Sequence, residues 1–261
     1  MKHVTYHTSD HTAYISLNRP DSHNAFDDAM IKRITKLCLR AANDDDVRSV
    51  VLQAEGNTFC AGADLHWMKR MAEYDYETNI QDAQALATML HTLNTLAKPT
   101  IAKINGSAFG GAVGLIACCD IAIATKLSKF CLSEVRLGLA PATIMPYIID
   151  AIGQRHARRY ALSAEVMSAR RARRLGLIHE AVIESELDST VASLCTQLHK
   201  GGPEAISATK GLLLECHHHK IDATLQHKTA ATIAALRIGT EGQAGLAAFF
   251  QQAKPYWQED E

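Results

Sequence analysis

The stretch TIAKINGSAFGGAVGLIACCDIAIA, residues 100–124, decides the fold class. Thr100 to Ile104 is a short apolar run, and Lys98-Pro99 before it ends whatever precedes. It predicts a strand, with Asn105-Gly106 as the turn that follows. The glycine-rich segment Phe109-Gly110-Gly111-Ala112-Val113-Gly114 then opens an apolar helix ending near Cys119. Asp120-Ile121-Ala122-Ile123-Ala124 predicts the next strand. A strand, a glycine loop, a helix and a second strand in this order point to an α/β fold.

The same alternation extends outward in both directions. Residues 3–8 and 12–18 flank Ser9-Asp10-His11 and predict a β-hairpin. Residues 26–42 place Met30, Ile31, Ile34, Leu37, Cys38 and Ala41 at helical spacing, with Asp27 and Asp28 at the positive end. Ser49 to Ala54 predicts a buried strand, residues 55–64 a glycine-bearing loop, 64–72 a helix and 78–96 a longer one. Phe130-Cys131-Leu132 predicts a shorter strand. From about residue 141 the pattern turns helical, with helices at 185–199 and 203–216 and one weak strand at Ala181-Val182-Ile183. The simplest division is an α/β core over 1–199 and a helical C-terminal region over 200–261.

Bulk properties exclude several classes. The chain has 261 residues, 47% of them hydrophobic and 21% charged, as expected of a globular protein with a substantial core. A net charge of −1 offers no basic field for DNA and weighs against RNA. No apolar run reaches the roughly 18 residues of a membrane span, and the N-terminus lacks the pattern of a secretory signal. The seven cysteines include no CxxC pair, and most lie in apolar segments. Reduced, buried thiols in a cytoplasmic protein are the expectation, Cys118-Cys119 included.

Two glycine-bearing loops, Thr58 to Asp64 and Gly106 to Gly114, each follow a strand and precede a helix. Small residues there let a ligand approach the backbone, and a helix N-terminus aims free N–H groups at it. Two such loops converging would hold one developing negative oxygen, an oxyanion hole. Either loop alone could equally be a tight turn. Neither has the dinucleotide or P-loop spacing. Glu134 in Ser133-Glu134-Val135-Arg136-Leu137-Gly138-Leu139 lies in an apolar neighbourhood. It could be an acid–base group with a raised pKa, or a surface carboxylate paired to Arg136.

Taken together, FCAGAD at 59–64, NGSAFGGAVGL at 105–115, CDIAIA at 119–124 and FCLSEVRLGL at 130–139 resemble the enoyl-CoA hydratase/isomerase (crotonase) superfamily. LNRP at 17–20, Asn24-Ala25-Phe26, ARRLGLI at 172–178 and Lys254-Pro255 are similar to it too, so the resemblance covers nearly the whole chain. It implies a β-β-α spiral core, with the C-terminal helical region serving trimerisation and active-site cover. It further implies an acyl-CoA thioester as substrate, no metal or redox cofactor, and homotrimers or hexamers made of two trimers. By the same resemblance the amides of Ala63 and Gly111 hold the thioester oxygen and Glu134 is the acid–base group. Ala61, Gly62, Asp64, Leu65, Trp67, Gly110 and Gly114 lie along the substrate or its CoA, and Lys254 contacts a CoA phosphate. Trp67 is either packing, a wall of the acyl pocket, or both.

The departure is at Gly114, where hydratases of this family typically carry a first glutamate. Three accounts compete: Glu134 handles both protons, a residue from elsewhere substitutes, or the enzyme is an isomerase. A non-catalytic acyl-CoA- or RNA-binding scaffold is a further alternative. GAVGL, SEVRLGLAPA and DLHWMKRM (64–71) resemble bacterial 3-methylglutaconyl-CoA hydratase-like proteins of leucine and branched isoprenoid-acid breakdown. That favours hydration of a branched, carboxylated enoyl-CoA, with Lys69, Arg70 or Arg136 facing the substrate carboxylate or simply solvated. His217-His218-His219 cannot face one ion from a helix. The run Arg170 to Arg174 reads as a solvated helix face or a subunit contact.

Overall fold

The computed structural model describes residues 3–217 and 219–258. His218 of the histidine run therefore lies outside the described residues. The chain opens with the hairpin β1 (Val4–Ser9) and β2 (Thr12–Leu17), turned by Asp10 and His11 in the left-handed region. Helix α1 (Asp28–Ala42) follows, its N-terminus capped by the Asp27 carboxylate on the Met30 amide. Its buried face is the apolar set expected from the spacing, Met30 to Ala41.

Three turns of one pattern then build the core. Each places a strand in a large sheet, the next strand in a small sheet, and then helix. The first is β3 (Ser49–Ala54), β4 (Thr58–Cys60), α2 (Leu65–Glu73) and α3 (Tyr76–Asn94); the second is β5 (Thr100–Ile104), β6 (Ser107–Phe109) and α4 (Gly111–Ala117). The third is β7 (Ile121–Thr125), β8 (Lys129–Cys131), a 3₁₀ turn at Glu134–Leu137, and α5 (Met145–Ser163). Strand β9 (Met167–Ser168), α6 (Ala169–Leu175), β10 (Glu180–Val182) and α7 (Glu184–His199) complete the core. Among the described residues the large sheet runs β1-β2-β3-β5-β7-β10 and the small one β4-β6-β8-β9. All pairs are parallel except β1 with β2 and β8 with β9. The α/β spiral expected from the sequence is the observed fold.

Strand β3 shows why the central strands read as continuous apolar runs. Successive side chains point to opposite faces, and both faces are covered. Val50 and Leu52 join the main core with α1 and α3, whereas Val51 packs with Ile101, Ile123 and the α7 residues Leu187, Val191 and Cys195. Six of the seven cysteines are buried, Cys216 being exposed, and all are free. Burial pushes the Cys38 and Cys60 thiols up to about 12 and raises Cys118 and Cys119 further, so these are inert packing groups.

The C-terminal region adds α8 (Pro203–Cys216), α9 (Ala223–Ile238) and α10 (Thr240–Gln251). Lys210 fastens α8 to the core: its buried ammonium lies 2.7 Å from Asp120 Oδ2, which also accepts from the Thr100 amide and hydroxyl. Asp120 is thus an anchor ahead of β7, not its first residue as the apolar run suggested. Leu213, Ile233, Ile238, Leu246, Phe249 and Phe250 are exposed on these helices. Among the described residues no helix is long and apolar enough to cross a membrane.

Candidate active site

The first glycine loop is held from below by the segment following β2. Asn24 is buried and donates from Nδ2 to the carbonyls of Glu55 and Thr58, both at 2.8 Å, while its Oδ1 accepts from the Arg19 amide. Arg19 reaches Asp64 Oδ2 at 3.1 Å and the Ala25 carbonyl at 3.1 Å. Asp64 in turn caps α2, accepting from the amides of His66 and Trp67 at 2.8 and 3.1 Å. Burial pushes the Asp64 carboxyl up, but the two amides and the Arg19 guanidinium outweigh it and hold it below the usual carboxylate range. Asp64 is therefore a charged brace for the loop at neutral pH.

Phe26 joins this loop to the second. Its amide donates to Gly62 and its carbonyl accepts from Asp64, both at 2.9 Å, which brackets Ala63 in a parallel bridge. Its ring meets Trp67 at 5.9 Å between centroids, and a Cβ on Gly111 would stand 2.8 Å from its Cζ. The loops also touch directly. Gly62 has φ of +95°, and a Cβ there would stand 2.8 Å from the Phe109 carbonyl oxygen. A residue with a side chain is excluded on both counts. Among the described residues no hydrogen bond is made by the Ala63 or Gly111 amide, and Gly111 opens α4. The neighbouring Gly110 amide is already occupied, donating to Cys131 at 2.8 Å.

That bond aligns β8 with the loop and brings the following turn over it. Glu134 Oε1 would lie 3.3 Å from a Cβ on Gly110, so the carboxylate rests against the residue preceding Gly111. Its Oε2 is buried with no hydrogen-bond partner. Burial raises the Glu134 pKa above the ordinary glutamate range. The ion pair with Arg136 that the sequence allowed does not form: Arg136 turns away and donates to the Ala164 carbonyl at 2.7 Å. Cys131 donates to the same oxygen at 3.2 Å, so the end of α5 anchors both sides of the turn carrying Glu134.

Gly114 is buried one turn into α4. A Cβ there would meet Ile144 Cγ2 at 2.2 Å and Ile144 Cβ at 2.6 Å. The start of the direction a side chain at 114 would take is filled by a buried isoleucine. Ile144 precedes α5 and nothing local in the sequence marked it. Trp67 is buried, and its indole donates to Asp82 at 3.2 Å on α3. Ala61 and Leu65 are exposed beside it. Lys254 is exposed beyond α10, and among the described residues no hydrogen bond or ion pair joins it to the loops. Arg70 pairs with Asp28, while Lys69 is exposed and without an ion pair among the described residues. No cluster of His, Cys, Asp and Glu able to hold a metal occurs among the described residues.

The arrangement therefore offers two free amides from converging loops and one partly desolvated carboxylate beside them. A solved enoyl-CoA hydratase from Shewanella pealeana superposes with a TM-score of 0.95 at 41% identity, covering 98% of this chain and 96% of that one. The enoyl-CoA hydratase AKT6-1 of Alternaria alternata is 33% identical over 239 residues, 91% of this chain and 78% of that protein. The (E)-benzylidenesuccinyl-CoA hydratase of Thauera aromatica is 33% identical over 212 residues, 79% of this chain and 80% of that protein. The model of the enoyl-CoA hydratase/isomerase family matches residues 7–260, and the chain belongs to that family.

Proposed function

We propose that this hydratase-type enzyme adds water to a branched, carboxylated enoyl-CoA of the 3-methylglutaconyl kind, with Glu134 as its single acid–base group. The observation that carries the reading is the Glu134 carboxylate, with Oε2 buried and unpartnered and Oε1 against Gly110, the residue before Gly111. Glu134 takes a proton from water as the oxygen bonds to the β-carbon. The double-bond electrons move to the thioester oxygen, which rests on the Ala63 and Gly111 amides. The enolate then collapses and the α-carbon receives the proton from the Glu134 carboxyl. Hydroxyl and proton arrive from the same side, and one carboxyl ends as it began. The raised proton affinity of Glu134 suits both halves of this cycle.

Ala61, Gly62, Asp64 and Leu65 would follow the CoA, with Phe26 and Trp67 as walls of the acyl pocket. Lys254 would reach a CoA phosphate from a neighbouring subunit. Self-association as a trimer, or a pair of trimers, is supported by the exposed apolar residues of α9 and α10. Support for a carboxylated acyl group comes from the relative named for a succinyl thioester. Of the cations considered, Arg70 and Arg136 already serve Asp28 and Ala164. Lys69 is then the candidate to meet the substrate carboxylate. The Ile144 side chain against Gly114 favours a second reading, double-bond isomerisation, which needs only one base.

The test is the steady-state loss of enoyl-thioester absorbance with 3-methylglutaconyl-CoA and with crotonyl-CoA. Preference for the former, lost in Lys69→Met, supports the proposal. Exchange of solvent deuterium at the γ-carbon with no net hydration favours isomerisation. No reaction with either ester defeats both.

A further inference from the structure

The second half of α5 and one side of α6 flank an open cavity of about 470 Å³ that the proposed reaction does not use. It is lined by Arg155, His156, Arg158, Arg159 and Tyr160 of α5 and by Arg171 and Leu175 of α6. Positions 155, 158 and 159 fall on one helical face by their spacing, and Arg171 closes the cavity from the other helix. Among the described residues only Arg159 of these has a carboxylate: its Nε and Nη2 donate to Glu165 at 3.0 and 2.9 Å. Among the described residues Arg155, Arg158 and Arg171 have no ion pair.

Four guanidiniums around one concavity, three of them without an ion pair among the described residues, make a local positive field in a chain whose net charge is −1. Helix stability does not account for the placement. Arg170 and Arg171 occupy the first turn of α6, which holds no acidic residue and where the helix dipole disfavours cations. The cavity also has a less polar side. Tyr160 is buried beneath the Arg159 guanidinium, 5.5 Å from its carbon to the ring centre, and Leu175 is half-buried. Guanidinium forks match phosphate oxygens in pairs. A volume of about 470 Å³ leaves room for more than one phosphate between the two helices.

We propose that this cavity binds an oligophosphate of two or three phosphates, free or carried on a nucleotide. The three unpaired guanidiniums hold the phosphates between the helices, and Arg159, already braced by Glu165, borders them. Binding is read without acyl-CoA, so the inference stands or falls apart from the proposed reaction.

The test is calorimetric titration of the full chain at physiological salt with tripolyphosphate and, separately, with magnesium-free ATP. Saturable binding is expected, weakened at least about tenfold for each guanidinium removed in Arg155→Ala and Arg171→Ala. Arg155→Lys/Arg171→Lys keeps the charge but not the forks, and also weakens binding. Arg174→Ala, a neighbouring arginine outside the cavity, leaves it unchanged. Equal affinity for the two probes assigns the site to the phosphates alone; tighter ATP binding assigns it to a nucleotide. Absence of saturable binding to either probe overturns the proposal. So does an equal loss in Arg174→Ala and the cavity variants.

Discussion

Placing an alanine at Gly114 introduces a methyl group 2.2 Å from Ile144 Cγ2 and 2.6 Å from Ile144 Cβ. Carbon atoms pack best about 3.5–4.0 Å apart, so the overlap is about 1 Å or more on two atoms of a fully buried neighbour. Overpacking of this kind costs about 1–3 kcal/mol. Against it stands a gain of about 1 kcal/mol from replacing glycine by alanine within a helix. The overlap is deep, so the cost wins and Gly114→Ala loses about 1–2 kcal/mol net. Truncating the neighbour to alanine leaves its Cβ in place, at 2.6 Å, and does not relieve the clash. Ile144→Gly does, because the next atom, the Ile144 Cα, lies at 3.7 Å. In the Ile144→Gly background Gly114→Ala is therefore neutral or stabilising, giving a coupling of about 1–3 kcal/mol. Urea unfolding of the four proteins at one concentration, followed by tryptophan fluorescence, measures it. Gly114→Ala as stable as the parent with Ile144 intact would refute the reasoning.

Glu134→Gln lowers hydration by about 10²–10⁴-fold, the scale of general acid–base catalysis, with acyl-CoA binding retained in a displacement assay. In the parent enzyme kcat/KM rises with pH through the raised Glu134 pKa, because the base form starts the reaction. For stability the sign runs the other way. The folded protein holds this proton more tightly than the unfolded chain, so stability is full below the ordinary glutamate range and falls as pH rises through the raised value. Glu134→Gln accordingly gains stability relative to the parent as pH rises, seen by thermal unfolding across pH. Gly62→Ala, with φ of +95° and the Phe109 oxygen 2.8 Å away, costs about 1–3 kcal/mol and shifts the Ala63 amide, lowering kcat. Lys210→Met leaves Asp120 without its ammonium and destabilises by about 1.5–3 kcal/mol in the same urea assay.

What the sequence disclosed was local. Helix α1, strands β3 and β5 and the hairpin carry complete patterns of apolar spacing, and their bounds fall within a residue or two of those expected. The strands β4 and β6 have three residues each, too short for any period, and in the sequence they merge with the glycine loops. The long helix expected over 78–96 begins at Tyr76, because Asp75 caps it through the Thr78 amide. The expected strand at 181–183 lies one residue earlier, at Glu180–Val182. The site divides in the same way. Both glycine loops and Glu134 lie in recognisable runs, and the structure brings them together. Ile144 against Gly114, Arg19 on Asp64, Asp82 on Trp67 and Arg136 on Ala164 join residues 15 to 45 positions apart, and no spacing rule reaches them.

Helix α5 contains a residue that no helix interior accommodates: Gly153, at φ 74° and ψ 151°. Only glycine holds that conformation cheaply, and it divides α5 into two rods with separate duties. The first rod, with Ile144 at its head, faces Gly114 of the proposed acyl pocket. The second ends at Ala164, whose carbonyl steadies the turn that carries Glu134. Because the helix is broken there, the wall beside Gly114 and the support of the proposed acid–base group sit on separate rods. Residues before Gly153 can vary to suit a new acyl group while the carboxylate keeps its aim, so substrate range in such a scaffold can drift without retooling its chemistry.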